Sequence, residues 1–374
     1  MSKWEMVRLG DVLEYEQPTK YIVESTNYDD GYKTPVLTAG QSFILGYTSE
    51  TSNVFVEVPA IIFDDFTTAI KYNDFPFKVK SSAMKILKPT KKAYIKYIFY
   101  YMKTIKIDTQ LHKRYWISKY ADIQAQLPPL EVQRQIADAL DKVAALISQR
   151  KQQLEQLDLL VKSRFVEMFG DPVTNPMGWE MPCIEDTVAE GKTALKAGPF
   201  GSSLKKEYYV ESGYKIYGQE QVIRGDVHYG DYYINEEKYR MLQSCAVQAN
   251  DVLISLVGTY GKLLIIPDDY EPGIINPRLM KISFNPQKIN TIYFRYFFGS
   301  DSLVQKLAEN THGGTMDILN LGIVRKIKIP KPPLDLQNAF ADFVYQTDKS
   351  KFEIQQGLNQ LELQYSALMQ QYFG

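Results

Sequence analysis

Two long segments of the chain carry apolar residues at the spacing of one helix face, and the two segments are copies of each other. The first covers residues 128–170 and the second residues 332–374, aligned without gaps at an offset of 204 residues. Of the 43 aligned positions, 13 are identical. The chain therefore contains an internal duplication.

Each copy predicts one long helix, because a Pro-Pro pair cannot continue a preceding helix and a Phe-Gly pair ends the pattern. The apolar residues fall on two heptad rows, which is typical of helices that pair along a seam. The rows are Leu140, Ile147, Leu154, Val161 and Met168 with Ile136, Val143 and Leu157, and Phe340, Ile354, Leu361 and Leu368 with Val344, Leu358, Tyr365 and Tyr372. Each helix of about 38 residues is roughly 57 Å long. We expect two long antiparallel coiled-coil helices that act as spacers, and the alternative is an ordinary two-helix hairpin.

A second repeat marks the start of the region that precedes each long helix. Trp4-Glu5-Met6 recurs as Trp179-Glu180-Met181 at an offset of 175 residues. The regions behind these openings otherwise look unlike each other, with strand-like runs at 54–58, 60–63, 78–87 and 250–257 and an aromatic helix at 93–103. The prediction is an α+β chain with two mixed α/β domains, 1–127 and 171–331, the second starting with a linker at 171–177. The helices 128–170 and 332–374 separate these domains in a cyclic arrangement with approximate two-fold symmetry.

Charge is segregated along the chain although the formal net charge is only −1. Residues 1–70 hold 4 Lys and Arg against 11 Asp and Glu, whereas residues 71–119 hold 13 against 2. A basic run interleaved with aromatic residues fits a surface that follows nucleic-acid phosphates, and a solvated helix face is the alternative. For contact with DNA in the first domain the candidates are Lys71, Lys78, Lys80, Lys113, Arg114 and Tyr115.

The second domain contains a glycine-rich loop, 197–206, that would let the backbone approach a ligand closely. Serine and lysine side chains on this loop could contact phosphate, and Gln is a residue type that reads base edges. The candidates here are Ser202, Ser203, Lys205, Lys206, Gln219, Gln221, Tyr260 and Arg278. A plain surface loop is the alternative interpretation.

Features of an enzyme are sparse in the sequence. The three histidines lie in unrelated contexts, the two cysteines form no framework, and no nucleotide-binding or S-adenosylmethionine-binding loop is visible. Asp64 and Asp65 end an apolar run and could bind a metal, but a hydrogen-bonded turn is the preferred interpretation. Without a signal peptide or a long apolar run, the chain is expected to be cytosolic, with no membrane contact.

The Trp-Glu-Met openings, the unlike inserts and the two Pro-Pro-Leu-x-x-Gln helices together resemble the specificity subunit of type I restriction-modification systems. The segments 63–69 and 198–202 also resemble stretches common in that family's recognition domains. The second copy departs at Lys331 and Asp335, and Gly357 inside its helix could kink it at a cost of roughly 1 kcal/mol.

That resemblance implies a non-catalytic subunit that binds double-stranded DNA, each domain reading half of a split site. The implied partners are two modification (methyltransferase) subunits and the restriction (translocase and nuclease) subunits. S-adenosylmethionine, ATP and Mg are expected in those partners and no cofactor in this chain. The alternatives are the recognition part of another methyltransferase or nuclease assembly, a stand-alone nuclease or methyltransferase, and a coiled-coil scaffold that binds no DNA.

Overall fold

A computed structural model describes residues 4–38, 42–107, 115–256, 262–309 and 319–374. The chain divides into two compact units. The first comprises Met1–Gln152 with Gln355–Gly374, and the second comprises Gln153–Ile354. Both long helices thus contribute one half to each unit.

The α-helices are α1 (Leu9–Val12), α2 (Ile95–Thr104), α3 (Tyr115–Ser118), α4 (Leu130–Phe169), α5 (Gln219–Arg224), α6 (Glu236–Met241), α7 (Thr291–Phe298), α8 (Asp301–Glu309), α9 (Leu321–Lys326) and α10 (Leu334–Phe373). Short 3-10 helices span Pro18–Tyr21, Tyr120–Asp122, Ile184–Asp186, Gly201–Ser203, Lys206–Tyr208 and Gln243–Cys245.

The β-strands of the first unit are β1 (Glu5–Arg8), β2 (Leu13–Glu16), β3 (Thr34–Leu37), β4 (Ile44–Thr48), β5 (Ala60–Asp64), β6 (Ile70–Asn73), β7 (Lys78–Val79), β8 (Met84–Pro89) and β9 (Gln124–Leu127). Those of the second are β10 (Leu195–Ala197), β11 (Tyr209–Val210), β12 (Tyr214–Tyr217), β13 (Tyr233–Ile234), β14 (Val252–Ser255), β15 (Leu263–Ile265), β16 (Gly273–Ile275) and β17 (Leu279–Ile282).

The two units share one strand order, although their inserts look unlike in sequence. The antiparallel sheet β2-β8-β5-β6 of the first unit corresponds to β10-β17-β14-β15 of the second. Each unit has another sheet that contains one parallel pair, β3 with β7 and β12 with β16. The two inserts therefore share a framework, because strand order persists after local sequence similarity is lost.

The two sequence repeats meet each other inside each unit. In the first unit β1 pairs with β9, so that Glu5 lies opposite Leu127. In the second unit Glu180 lies opposite Lys331, and these residues are related to the first pair by the offsets 175 and 204. The repeated opening therefore pairs, in each unit, with the strand that leads into the repeated helix.

The predicted long helices are confirmed as α4 and α10, and they pair antiparallel in each unit. In the first unit Leu140 of α4 lies in a core that is joined by Leu368 and Tyr372 of α10, and Lys151 is ion-paired with Glu362. In the second unit Lys351 of α10 bonds Asp158 of α4. The predicted seam rows are buried or half-buried throughout, because their spacing keeps them on one helix face.

Gly357 does not interrupt α10, which is a single helix from Leu334 to Phe373. A Cβ added at this glycine would meet nothing within 4 Å. The predicted strand 54–58 is wrong, since only Phe55 forms an isolated bridge there. The predicted strand 78–87 is divided into β7 and β8 by a turn, whereas helix 93–103 and strand 250–257 are confirmed as α2 and β14.

A buried glutamine fixes the start of each long helix to its unit. The Gln133 side chain, 0% exposed, accepts a bond from Tyr94 N (2.7 Å) and donates to Lys92 O (3.1 Å) and Pro128 O (2.8 Å). Gln337, also 0% exposed, makes the same bonds with Asn290 N (2.9 Å), Lys288 O (3.1 Å) and Pro332 O (2.9 Å). One amide thus joins the helix, its Pro-Pro entrance and the start of α2 or α7.

Candidate nucleic-acid interface

In the second unit, three strands of one sheet meet at a common edge where the glycine-rich loop begins. β10 ends at Ala197, and the next residue, Gly198, donates its N–H to Leu279 O of β17 at 2.9 Å. β14 ends at Ser255, and Leu256 donates its N–H to Arg278 O at 2.9 Å. The backbone therefore brings loop 198–206, Arg278 and the segment after β14 to one edge.

Asn276 packs closely against two glycines at this edge. A Cβ on Gly198 would lie 1.9 Å from the Asn276 carbonyl oxygen, and a Cβ on Gly218 would lie 2.8 Å from its side-chain Nδ2. Position 198 therefore requires glycine, because a Cβ there would meet fixed backbone atoms, whereas a Cβ at position 218 would require the Asn276 amide to move. The Asn276 Oδ1 accepts the N–H of Arg278 at 2.9 Å, which fixes the backbone beside that exposed arginine.

Several predicted residues of the second unit lie at this edge or on the loop that begins there. Ser202, Lys205, Lys206 and Arg278 are exposed, and Ser203 is half-exposed. Lys205 has a loose ion pair with Glu207 at 3.5 Å, both side chains being solvated. Gln219 opens α5 and donates from Nε2 to Ser255 Oγ at 2.7 Å, which attaches it to the end of β14. These placements leave hydrogen-bond donors available to an anionic ligand.

One residue of this edge was not among the candidates. Phe200, at the tip of the loop, is 86% exposed. The available signal was its place in the glycine-rich segment Gly198-Pro199-Phe200-Gly201, where no regular apolar pattern predicts that the ring is buried. Serines and lysines of the same loop were predicted as contacts, because residue types that bind phosphate are easier to recognise in a sequence than an exposed aromatic ring.

Gln221 and Tyr260 differ from the other candidates of the second unit. Gln221 is buried, and its side chain accepts the N–H of Gly218 (2.9 Å) and donates to Tyr229 O (2.8 Å). These bonds hold the first turn of α5, so the structure contradicts a contact between Gln221 and a base. Tyr260 lies outside the described residues.

The first unit has an equivalent edge, where β2 and β5 end and β8 begins. The residues that line a hollow of about 240 Å³ there are Gln17, Asp65, Phe66, Ser81, Ser82, Ala83 and Lys85. Asp64 Oδ1 accepts the N–H groups of Phe66 (2.8 Å) and Thr67 (2.7 Å). The preferred interpretation of the paired carboxylates as a hydrogen-bonded turn is therefore confirmed for Asp64. Asp65 instead accepts the Trp116 N–H at 2.9 Å.

Part of the basic run neutralises the acidic segment that precedes it. Lys78 is buried, with its ammonium 2.7 Å from Glu50 and 3.0 Å from Ser52 O. Lys85 is buried beside Asp65 at 3.5 Å, and Lys88 bridges acidic residues near the end of β2. The prediction that Lys78 contacts phosphate is contradicted, because its ammonium is buried inside the unit and points at Glu50 and Ser52 O, out of reach of a ligand.

The remaining candidates of the first unit have different environments. Lys80 is exposed, and its ammonium lies 5.9 Å from the ring centre of Tyr28. Lys71 is half-exposed on β6. Tyr115 is buried in the core and donates its backbone N–H to Asp65 O, so the structure contradicts a DNA contact from its side chain. Lys113 and Arg114 lie outside the described residues.

Glu16 at the end of β2 provides a pH test of this edge. Burial favours the neutral carboxyl, but bonds from Lys20 (2.7 Å), Tyr21 (2.7 Å) and Lys88 (3.1 Å) outweigh it and lower the pKa of Glu16 from 4.5 to about 2. A depressed carboxyl pKa stabilises the folded state above the unfolded pKa and loses that contribution as the pH falls through the folded pKa.

We expect Glu16→Gln to destabilise the protein at pH 7, with the difference from the parent shrinking as the pH falls from about 4.5 towards 2. Urea unfolding at a series of pH values measures this. Glu14→Gln on the same strand is the matched control, since Glu14 is exposed. A Glu16→Gln penalty that stays constant across this pH range would show that packing, and not charge, sets the effect.

The part of the chain that the structure describes contains neither a candidate metal cluster nor a candidate membrane span. Among residues 4–38, 42–107, 115–256, 262–309 and 319–374, no group of three or more His, Cys, Asp and Glu side chains could hold a metal ion. Within the same ranges, no helix combines the length and the apolar character needed to cross a membrane.

Comparison with known proteins accounts for both units. The family described as type I restriction modification DNA specificity domain matches residues 1–156 and again residues 178–363. The chain belongs to this family. The two matches follow the duplication, since each covers one sheet-rich domain together with part of the long helix that follows it.

Relatives within the family extend over almost the whole chain. The chain is 30% identical to the EcoR124I/EcoR124II specificity subunit of a type I restriction enzyme from Escherichia coli, over 95% of this chain and 89% of that protein. It is 23% identical to the MjaVIII specificity subunit from Methanocaldococcus jannaschii, over 91% of this chain and 84% of that protein.

Solved structures support the fold. The S subunit of a type I restriction-modification system from M. genitalium matches with a TM-score of 0.63 at 13% identity, covering 100% of this chain and 96% of that one. A chain from a study of type I R-M complex assembly and conformational transition matches with a TM-score of 0.57 at 14% identity, over 99% and 97% of the two chains. The predicted plan of sheet-rich domains with a long central and a long C-terminal helix is confirmed.

Proposed function

We propose that this specificity subunit reads a bipartite DNA site, with one half-site for each unit. The observation that carries the proposal is the repeated framework: the same strand order, the same opening pair and the same glutamine anchor support different loops. A duplicated scaffold with different loops at the same edge is suited to reading two different sequences. The half-site that each unit reads would then depend on its own loops.

The positive charge on loop 198–206 and at the sheet edge where it begins supports DNA as the ligand. In the second unit Lys205, Lys206 and Arg278 are exposed near one edge, and Ser202 adds a hydroxyl. Cationic side chains release counterions from the DNA and hydroxyls donate to phosphate oxygens, which gives affinity and register without sequence information. In the first unit Lys71 and Lys80 remain as candidates for the same role.

The long helices offer a surface for the modification subunits. Exposed apolar residues of the second unit lie on α4 (Leu159, Leu160, Val166) and on α10 (Tyr345, Phe352). Leu159 with Val166, and Tyr345 with Phe352, are seven residues apart and so lie on one face of their helix, which gives each helix an exposed apolar face that a partner protein could cover. Membership of the family makes two methyltransferase subunits the proposed partners, with restriction subunits joining the complex.

Catalysis would then belong to those partners. We propose that the chain is non-catalytic by itself and that S-adenosylmethionine, ATP and Mg bind in the modification and restriction subunits. We propose a cytoplasmic location for the chain, because the chromosomal DNA that such a complex would methylate lies there.

Domain exchange tests the division of labour. Replacing residues 178–331 with the corresponding segment of another specificity subunit, in a complex with its modification subunits, is expected to change one half of the methylated sequence only. Sequencing of methylated genomic DNA from cells that carry the hybrid measures both halves. The reciprocal exchange of residues 1–127 is the matched control and should change the other half. A hybrid that alters both halves, or neither, would contradict one half-site for each unit.

A further inference from the structure

Phe200 is the most exposed large apolar side chain of the part of the chain that the structure describes, at 86%. It lies at the tip of loop 198–206, on the edge that carries Lys205, Lys206 and Arg278. A solvated ring gains nothing for folding, because no apolar area is buried. Its position on a loop that also carries Lys205 and Lys206 instead fits an apolar contact with a polyanion.

The loop that carries this ring is held in place on both sides. Gly198 fits tightly against Asn276, where even a Cβ would be 1.9 Å from a carbonyl oxygen. After the tip, Ser203 donates its N–H to Phe200 O at 2.8 Å, and Leu204 is buried in the core of the unit. Phe200 is therefore presented from a fixed position, which lowers the ordering cost of binding a ligand.

The Phe200 ring and the lysines and serines of its loop can contact different parts of DNA. Lysine and serine contact phosphates, which are the same at every base pair. A phenyl ring has no donor for phosphate, but it can contact the thymine methyl group in the major groove or insert between base steps from the minor groove. Both contacts depend on base identity.

We propose that the Phe200 ring contacts bases in the half-site read by the second unit. This inference rests on the proposed function. It predicts that loss of the ring reduces binding to the cognate site and leaves the phosphate-dependent binding of other sequences intact.

The test uses the complex of the full chain with its modification subunits and two duplexes, one with the site mapped by methylation and one unrelated. Phe200→Ala is expected to weaken cognate binding about tenfold or more, the cost typical of losing one base contact. Binding to the unrelated duplex should change less than about twofold, and the salt dependence of log Kd should stay the same. Base-pair substitutions should lose their effect at one or two adjacent positions of one half-site.

Two further variants provide controls. Lys206→Gln should weaken both duplexes equally and reduce the salt slope by about one counterion, as loss of a phosphate contact does. Met241→Ala, which removes another side chain of the second unit at 70% exposure, should leave both affinities unchanged. The melting temperature of Phe200→Ala should equal that of the parent, and Phe200→Tyr, which keeps the ring, should retain most of the cognate preference.

Clear outcomes would overturn the inference. Equal losses on both duplexes would make Phe200 a general contact, and no loss on either would leave it without a role in recognition. Loss of preference in Phe200→Tyr together with a lower melting temperature would assign the effect to folding. A parent complex that binds both duplexes equally would instead contradict the proposed function, and the inference would fail with it.

Discussion

Replacing Gln133 by alanine is expected to destabilise the first unit by about 2 to 4 kcal/mol, a large effect for one polar side chain. The amide joins three backbone groups, Tyr94 N, Lys92 O and Pro128 O, and it is 0% exposed. Alanine would leave these groups without their partner and open a cavity at the start of α4. Each buried group left unsatisfied costs about 1 to 3 kcal/mol, and the more accessible ones recover part of this from water.

Gln152→Ala is the matched control, because Gln152 is an exposed residue of the same type on the same helix. It should change stability by less than about 0.5 kcal/mol. Urea unfolding, with hydrogen exchange of the first turns of α4 as a local probe, measures the difference. Gln337→Ala should reproduce the loss in the second unit. A loss for Gln133→Ala no larger than that of Gln152→Ala would show that the anchor is dispensable.

The long helices and the domain limits could be predicted because they depend on local signals. The heptad rows of α4 and α10 are a periodicity, and a Pro-Pro pair fixes where each helix can begin. The openings at Glu5 and Glu180 were recognised as a repeat. That each of them pairs with the strand before the long helix is a contact over more than a hundred residues, and nothing local encodes it.

The charge pattern gave a wrong prediction for Lys78, because the two residues of an ion pair across a sheet are distant in sequence. Lys78 meets Glu50, and Lys88 meets Glu16 and Glu57, so part of the basic run is matched by the acidic run before it. Alternation along a strand does not tell which face is buried. A lysine on the covered face is therefore indistinguishable, by sequence alone, from one that faces a ligand.

Only part of the candidate site could be predicted, because the sequence does not show which side chains are buried. The loop 198–206 was recognised through its glycines, and the structure gives the cause at Gly198, where the backbone contacts Asn276. Gln221 was selected for its amide, yet that amide holds the first turn of α5. Residue type gives the chemistry that is possible, whereas burial decides whether the group is available to a ligand.

Phe340→Ala is expected to have the largest effect on the second unit, a loss of about 3 to 5 kcal/mol in the free energy of unfolding. Phe340 of α10 is 0% exposed. Its ring packs edge-on against Phe165 (5.5 Å) and Phe169 (5.5 Å) of α4 and Tyr296 (5.2 Å) of α7. One side chain thus joins both long helices to the globular part of the unit, and its removal leaves a cavity that three rings cannot fill without moving.

Phe352→Ala is the matched control, since it deletes the same side chain from the same helix at 64% exposure. Its cost should stay below about 0.5 kcal/mol. Urea unfolding of the full chain measures both variants, and the double variant with Phe165→Ala should show a coupling of about 0.5 to 1.5 kcal/mol, as aromatic pairs in contact do. Because the core of the second unit includes Phe340 together with β14 and β17, Phe340→Ala should also weaken cognate DNA binding by the complex. A penalty equal to that of Phe352→Ala would mean that the helices are held in this unit by their other contacts, and that the aromatic cluster is not what connects them to the recognition domain.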